Sequence, residues 1–318
     1  MKQRLIPALQ DLCLFQQKAR TVLILFLVGL VPLLLGSVSA NARTRVAAGN
    51  SCQQYPSFAP KLGFSPATSF LTTVNRGDVG LVLINSAPNI PGERKRYQHP
   101  SWNSAGHLGQ IVFDSDGNTY TYPAPLVDLS INPPALANRI YQVDAQTGEM
   151  KLFHQLPVPS KIPEENPFGV MGLSYSCFDN VLYISSVIGS TREKESGRVY
   201  VLSLSTHEVI DSIEDFDGFG LAAAKFEDKK VLLLGHARSS TLFLVELDSR
   251  GTFVGRPQPY MNIFGWGPRG DDKIKSLKVL EDQAALQITG YEFQFNLASY
   301  LRPEQSEYVL PIEPLPFE

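Results

Sequence analysis

The chain has 318 residues, 43% of them hydrophobic, and a formal net charge of −3 at pH 7. That length can bury a full core as one domain. A mildly acidic chain without a basic cluster argues against a nucleic-acid partner, because binding to phosphates needs a cationic footprint.

The first 42 residues have the pattern of an export signal. A basic segment containing Lys2, Arg4, Lys18 and Arg20 precedes an uncharged run that ends in small residues at Ala40-Asn-Ala42. A basic segment, an apolar run and an A-x-A-like site together predict a signal peptide cleaved after Ala42, or alternatively after Ala40. The other interpretation is an uncleaved N-terminal anchor, because the run is long enough to span a bilayer. Both predict translocation of the remaining chain to the periplasm or the extracellular space.

Cleavage after Ala42 would remove four basic residues and one acidic residue. The rest of the chain then has 24 Lys and Arg against 30 Asp and Glu, a formal net charge of −6. It also keeps two cysteines, Cys52 and Cys177. In an exported protein these two form a disulfide, or Cys177 is a buried thiol and Cys52 is unpaired. The sequence leaves both interpretations open.

Residues 43–65 are polar and small with several prolines, so they predict a flexible tail ahead of a single domain over 66–318. Residues 78–84 are the first predicted strand, and 86–105 read as an exposed loop. Three stretches then share one pattern about fifty residues apart: a glycine, a short apolar strand, a polar turn and a second apolar strand. They begin at Gly109, Gly172 and Gly220.

Further strands follow each copy, so each predicts a four-stranded antiparallel unit, and a blurred fourth copy covers 274–295 with strands at 274–280, 284–288 and 291–295. Repetition at this period is typical of a radial or stacked β architecture. We therefore predict an all-β fold, a β-propeller of four-stranded blades. The strands at 78–84 and 307–312 are expected to complete one more blade together, because closing the ring removes exposed edges. That gives five blades, with six as an alternative; a β-sandwich is the other structural alternative.

Two blade entrances, Asn166-Pro-Phe-Gly-Val-Met-Gly-Leu173 and Asp217-Gly-Phe-Gly-Leu221, and the turn Asp116-Gly-Asn-Thr-Tyr120 resemble the blades of NHL-repeat and gluconolactonase (regucalcin-like) propellers. The resemblance covers about residues 106–295. It implies a divalent cation, Ca²⁺ or another, held in the central channel by acidic and amide side chains, and Asn166 and Asp217 stand where such ligands are expected. The first repeat departs from the family pattern, with His107 or Gln110 where a Glu is expected. The fourth offers Asp271 and Asp272 in a different local pattern.

Strand direction sorts the polar loops of such a blade. The loop entering the first strand and the loop joining the second and third strands emerge at the same end. We name this end the loop face, and the opposite end, which carries the tight hairpin turns, the turn face. The first kind of loop contains His107, Asn166, Asp217, Asp271 and Asp272, and the second kind contains Asp128, Arg192, Lys194, His236, Arg238 and Ser239.

Two function hypotheses follow. The first is an exported binding module whose loop face binds a small molecule or a protein, with His236, Arg238 and Ser239 as ligand-binding residues, because His and Arg make charge-assisted hydrogen bonds to anionic groups. The second is a metal-dependent hydrolase of the lactonase or esterase type. In it, a Ca²⁺-like cation held by Asp217, Asn166 and either Asp271 or Asp272 would polarise an ester carbonyl, and His107 is the candidate base. The candidate metal ligands are Asn166, Asp217, Asp271 and Asp272.

Each candidate also has a structural interpretation. Asp217 before Gly218 fits a turn, and the Asp271-Asp272 pair beside Lys273 fits a solvated loop. The sequence contains no G-x-S-x-G elbow, no H-E-x-x-H and no paired C-x-x-C. A nucleophilic Ser or Cys is therefore not expected, and contact with a membrane is expected only through an uncleaved anchor.

Overall fold

The computed structural model describes residues 45–73, 78–85, 95–124, 129–295 and 305–317. They form five antiparallel sheets that follow one another along the chain as a five-bladed β-propeller, so the predicted fold class is confirmed. The innermost strands of the second to fifth sheets contact their neighbours around a central channel. The predicted signal or anchor, residues 1–42, lies outside the described residues, as does Asp128.

The strands are numbered β1 to β19 in chain order. Blade I contains β2 (Ser69–Thr72), β3 (Val82–Asn85) and β4 (Arg96–Tyr97). Blade II contains β5 (Val112–Phe113), β6 (Thr119–Thr121), β7 (Arg139–Val143) and β8 (Met150–Gln155). Blade III contains β9 (Val170–Ser176), β10 (Val181–Ser186), β11 (Arg198–Ser203) and β12 (Val209–Glu214). Blade IV contains β13 (Gly218–Phe226), β14 (Lys229–His236), β15 (Thr241–Leu247), β16 (Phe253–Asn262) and, at its inner edge, β1 (Val46–Ala48). Blade V contains β17 (Lys273–Leu280), β18 (Ala285–Tyr291) and β19 (Gln305–Pro311).

Helical structure is confined to short segments in the described part of the chain. They are one α-helix, α1 (Phe58–Lys61), and two 3₁₀ turns, Pro134–Leu136 and Glu281–Gln283. No helix there has the length and apolar character needed to cross a membrane.

Burial falls from the inner to the outer strands of a blade. Every residue of β9 and β10 is buried, whereas the outer strands β12 and β16 are mostly exposed or half-buried. An inner strand is covered on both faces by neighbouring blades, so continuous apolar runs are favoured there. The core therefore lies between the blades rather than inside any one sheet.

Two of the three glycines that open the sequence repeats, Gly172 and Gly220, are explained by this inner packing. A Cβ atom on Gly172 would lie 2.1 Å from the carbonyl oxygen of Phe219, on the next blade. A Cβ atom on Gly220 would lie 2.8 Å from the backbone of Lys275, one blade further on. Only glycine allows the inner strands to approach this closely at the channel. Gly172 and Gly220 thus mark contacts between blades and not turns, whereas Gly109 packs against the ring of Tyr122 in its own blade.

Residues 45–65, where we expected a flexible tail, contain β1, α1 and a disulfide. β1 pairs antiparallel with β13, and the backbone amide of Gly49 donates to the carbonyl oxygen of Ala223 at 2.7 Å. Cys52 is bonded to Cys177 in the β9–β10 turn. Beyond it the amide of Gln54 donates to Asp114 of blade II at 3.0 Å. This structure depends on pairing with strands and turns that are distant in the sequence. The proline content of residues 45–65 therefore did not predict it.

This segment crosses the turn face from blade IV to blade III and then to blade II. Between it and the inner strands of blades II to V, a cavity of only about 50 Å³ remains, lined by Asn50 and Gln53 together with residues of the inner strands. The channel is therefore closed at the turn face by the chain's own N-terminal segment.

The two end strands do not complete a blade together, so that prediction is wrong. β19 pairs with β18 and belongs to blade V, whereas β3 lies between β2 and β4 in blade I. The reason is β2, a strand at 69–72 that the sequence reading missed. With β2 as its partner, β3 needs no pairing with the C-terminal strand.

Candidate functional site

A buried ion pair lies at the loop face where blade IV begins. Asp217 directly precedes β13 and is fully buried, and its Oδ2 atom pairs with Nε of Arg238, which follows β14. Its other oxygen, Oδ1, accepts hydrogen bonds from the Ser190 hydroxyl at 2.5 Å and the Gly197 amide at 2.9 Å. Both carboxylate oxygens therefore bind donors of the protein itself.

Arg238 also holds the loop between β10 and β11, residues 190–197. Its Nη1 donates to the carbonyl oxygen of Arg192 at 3.0 Å, and its Nη2 donates to those of Thr191 and Lys194 at 2.6 and 2.7 Å. The guanidinium lies 4.8 Å from the ring centroid of Phe295. Arg238, predicted as a ligand-binding residue, thus directs most of its donors to this loop and fixes its backbone.

His236 and Ser239, the other two predicted ligand-binding residues, belong to the same cluster. His236 Nδ1 lies 2.9 Å from the Ser239 hydroxyl, and its Nε2 lies 3.0 Å from Oε1 of Glu195. The same Glu195 oxygen accepts the backbone amide of Asp217 at 2.5 Å. The two kinds of loop that we expected at the loop face therefore meet here, with Asp217 from the first kind and the other members from the second.

Burial acts differently on the two carboxyl groups of this cluster. Burial raises the pKa of Glu195, but hydrogen bonds from His236 and from the backbone of Asp217 outweigh it, and the pKa of Glu195 lies below its ordinary value. For Asp217, burial is the largest effect and raises its pKa, while Ser190 and Arg238 oppose the rise. Perturbed carboxyl groups beside a cavity are typical of functional sites as well as of structural ion pairs.

The remaining candidate metal ligands bind other groups. Asn166 donates through Nδ2 to the carbonyl oxygens of Val187 and Ser190. Asp272 accepts two hydrogen bonds from Arg269, at 2.5 and 2.8 Å, and one from Tyr308 at 2.9 Å. The last candidate, Asp271, is exposed and lies 3.6 Å from Lys273. In the described part of the chain, no group of three or more His, Cys, Asp or Glu side chains is arranged to hold a metal ion.

His107 lies at the entrance of blade II. Its amide donates to Oδ1 of Asn132 at 2.9 Å, and its carbonyl oxygen accepts from the amide of Ala124 and from Nδ2 of Asn132. These bonds fix the loop backbone ahead of β5. No contact between described residues joins His107 to the Asp217–Arg238 cluster.

An aromatic cluster joins the entrances of blades III, IV and V at the loop face. Phe168 and Phe219 precede or open inner strands, and Phe293 lies 5.3 and 5.0 Å from their ring centroids. Tyr291 and Phe295 complete the cluster. We predicted a strand over 291–295, but β18 ends at Tyr291, because the alternating aromatic residues that resemble a strand pack into this cluster instead.

Two cavities open on the loop face beside these groups. The first, which we name the central cavity, measures about 290 Å³ and is lined by Arg192, Arg238, Lys273, Phe293 and Phe295, among others. The second, which we name the inter-blade cavity, measures about 450 Å³ and lies between the end of blade II and the β10–β11 loop of blade III. Its cationic lining residues are Lys161, Lys194 and Arg198.

These cations differ in their ionic partners. Arg198 pairs with Glu214 at 2.5 Å, and Lys273 pairs with Asp271. By contrast, within the described residues no carboxylate forms an ion pair with Lys161, Arg192 or Lys194. The sequence signal for this feature was the charged stretch after Ser190, but it did not show that Arg192 and Lys194 line separate cavities.

Comparison with known proteins finds similar solved structures but no family. No protein-family model matches the chain and no curated protein matches it. Solved structures that are similar include the nidogen–laminin complex, at 11% identity over 76% of this chain and 78% of that one, with a TM-score of 0.42. Regucalcin from Agrobacterium tumefaciens, a calcium-binding protein, matches at 11% identity over 58% of this chain and 67% of its own, with a TM-score of 0.33.

The β-propeller domain of the Trilobed protease from Pyrococcus furiosus matches at 12% identity over 76% of this chain and 64% of its own, with a TM-score of 0.34. The chain spans as little as 38% of the length of another similar structure.

Proposed function

We propose that this protein is an exported binding module that holds an organic anion in the central cavity of the loop face. The observation that supports the proposal is the lining of that cavity, where Arg192, Arg238 and Lys273 lie beside the rings of Phe293 and Phe295. Cationic donors fix a carboxylate or a phosphate through charge-assisted hydrogen bonds. The rings provide an apolar surface for the remainder of the ligand.

Arg192 is the residue best placed to bind the anionic group. It is exposed, it lines the cavity, and no described carboxylate pairs with it. Arg238 and Lys273 also offer donors at the cavity wall, although ion pairs with Asp217 and Asp271 largely compensate their charges. At about 290 Å³ the cavity is at the lower end of the range for small-molecule sites. A ligand the size of a small aromatic acid therefore fits the proposal.

The Asp217–Arg238 pair supports binding by preorganising the site. Arg238 holds three carbonyl oxygens of the 190–197 loop and stacks on Phe295, so one side chain fixes two walls of the cavity. A wall that is already ordered loses little conformational entropy when a ligand binds. We assign Arg238 a positioning role and Arg192 the direct contact.

Export is the part of the proposal that rests on residues 1–42. One observation in the described residues supports it, the disulfide between Cys52 and Cys177. Disulfides persist in oxidising compartments such as the periplasm and the extracellular space, and they are rare in the cytosol.

The proposal is tested by calorimetric titration of the full chain with phenyl phosphate and benzoate, and with neutral benzyl alcohol. The anions should bind and the neutral analogue should not. Arg192→Gln should weaken anion binding about tenfold, since one charge-assisted hydrogen bond is worth about 1.4 kcal/mol or more. The matched control is Arg250→Gln, a side chain 78% exposed at the turn between β15 and β16. Equal binding of benzyl alcohol, or unchanged binding in Arg192→Gln, would overturn the proposal.

A further inference from the structure

The 190–197 loop forms a wall that the two loop-face cavities share. Arg192 lines the central cavity, and Lys194, two residues later, lines the inter-blade cavity. Their Cα atoms can be at most about 7.6 Å apart, because consecutive Cα atoms are separated by about 3.8 Å. Only one loop therefore separates the two cavities.

The inter-blade cavity repeats the chemistry of the central one. Lys161, Lys194 and Arg198 provide positive charge, and Val158 and Ile188 provide an apolar wall. Lys161 and Lys194 are exposed and, in the described part of the chain, form no ion pair with a carboxylate. At about 450 Å³ it is also the larger of the two cavities. The two cavities have similar cationic and apolar linings and lie on either side of the 190–197 loop. This arrangement suits a ligand that carries repeated negative charges.

Hydrogen bonds hold the backbone of the 190–197 loop between the two cavities. Its carbonyl oxygens at 191, 192 and 194 are held by Arg238, and the Thr191 hydroxyl accepts the amides of Glu193 and Lys194. The Ser190 hydroxyl accepts the Ser196 amide at 3.0 Å. A ligand that reaches both cavities must therefore cross over the loop, and the side chains of Arg192 and Lys194 would contact it on opposite sides.

We propose that the two cavities form one binding track for a linear oligoanion, specifically an acidic oligosaccharide bearing carboxylate or sulfate groups. The inference rests on the proposed function, because the central cavity is one end of the track. Sugar units suit the track because each has an apolar face for Val158, Ile188 or the Phe rings and a polar edge for the cations. A nucleic acid suits it less well, since residues 43–318 carry a net charge of −6 and no basic cluster of the size that a phosphate backbone needs.

The test is a calorimetric titration of the full chain with galacturonic acid, with oligogalacturonates of two to six units and with heparin-type oligosaccharides. Affinity should rise at least tenfold from the monomer to the longer chains and then reach a plateau, since both cavities are filled only by the longer ligands. The two saccharide series separate carboxylate from sulfate recognition. A single-stranded oligodeoxynucleotide of similar charge serves as the competing class of ligand.

Variants assign the two ends of the track. The double variant Lys161→Gln and Lys194→Gln should remove the gain in affinity from monomer to oligomer and reduce the number of monomer sites from two to one, whereas Arg192→Gln should weaken oligomer binding and monomer binding at the central cavity. Lys151→Gln, a side chain 70% exposed in the outer strand β8, is the matched control and should change neither. All substituted side chains are exposed, and unchanged melting curves would verify that the variants fold.

Three results would overturn the inference. If the anion affinity did not depend on length, the track would be excluded while the proposed function stands. If no saccharide bound while benzoate or phenyl phosphate did, the track would be excluded and the proposed function would stand, whereas if none of these anions bound, both would fail. If the oligodeoxynucleotide bound more tightly than any saccharide and with the same variant dependence, the ligand class would be wrong.

Discussion

The Asp217–Arg238 pair shows how one residue can serve both stability and function. Asp217 is fully buried and Arg238 is 18% exposed at its side chain, so the pair has lost most of its water. A buried ion pair is favourable only when further hydrogen bonds satisfy its remaining donors and acceptors. Ser190 and the Gly197 amide do so for Asp217, and three loop carbonyls do so for Arg238.

Replacing Asp217 with Ala should therefore destabilise the protein by about 3 kcal/mol, because it leaves the guanidinium of Arg238 largely buried without its carboxylate. The measurement is urea unfolding of the full chain at neutral pH. The matched control is Asp271→Ala, an exposed carboxylate two residues before β17, which should cost less than about 1 kcal/mol. A loss for Asp217→Ala no larger than that of the control would show that the pair contributes little to stability.

At the residue scale, the sequence predicted where the polar side chains lie better than it predicted which groups they bind. It placed Asp217, His236, Arg238 and Ser239 at one face because strand direction alternates within a blade, and the structure brings them into one cluster. It did not find Glu195 or Ser190, because both lie in a loop whose conformation depends on Arg238. A contact made across two blades leaves no local signal in either segment.

At the element scale, the segment from Val46 to Phe64 acts as a clasp across the turn face. It adds β1 to the inner edge of blade IV, and it is bonded to blade III through Cys52 and Cys177. Farther on, Phe58 and Phe64 are buried in the core beside Trp102. The disulfide joins residues 125 apart in sequence, so it restricts the unfolded chain strongly.

Removing this crosslink with the double variant Cys52→Ser and Cys177→Ser should lower the free energy of unfolding by about 3 kcal/mol. Dithiothreitol should lower the stability of the unmodified protein by the same amount and leave that of the variant unchanged. Both comparisons are made by denaturant unfolding followed by circular dichroism. If reduction left the unmodified protein as stable as before, the clasp would be held by β1 and its packing rather than by the disulfide.

Strands that belong to a hairpin with a clear apolar and polar pattern were predicted well. Strands that pair with segments distant in the sequence, or that are very short, were not. The hairpins of blades II to IV follow from alternating glycine, apolar strand and polar turn, because each pairs with its neighbour in sequence. β1 and β2 were missed, since a three- or four-residue strand among prolines has little pattern of its own. The strand predicted over residues 291–295 was wrong for the opposite reason. Aromatic residues alternate there as they do in a strand, but their side chains pack in the aromatic cluster.

At the scale of the whole molecule, the described residues close the central channel at both ends. The N-terminal segment covers the turn face, and the aromatic cluster of Phe168, Phe219 and Phe293 lies at the loop-face entrance. The cavity beneath the N-terminal segment is about 50 Å³. The two larger cavities open on the loop face, which moves the expected binding site from the interior of the channel to that face.

The effect of calcium on the melting temperature tests the metal-dependent hydrolase hypothesis against the binding-module proposal. The oxygens of Asp217 and Asp272 already bind Arg238 and Arg269, so a cation would have to displace an arginine from a buried carboxylate. We therefore expect 1 mM CaCl₂ to leave the melting temperature of the full chain within about 1 °C of its value in EDTA. A site with a dissociation constant of about 10 μM would instead add about 2.7 kcal/mol, which raises the melting temperature by roughly 5 °C or more. NaCl at matched ionic strength is the control. A calcium-specific rise that disappeared in Asp217→Asn would contradict the expectation, because it would place the cation at the carboxylate that the structure pairs with Arg238.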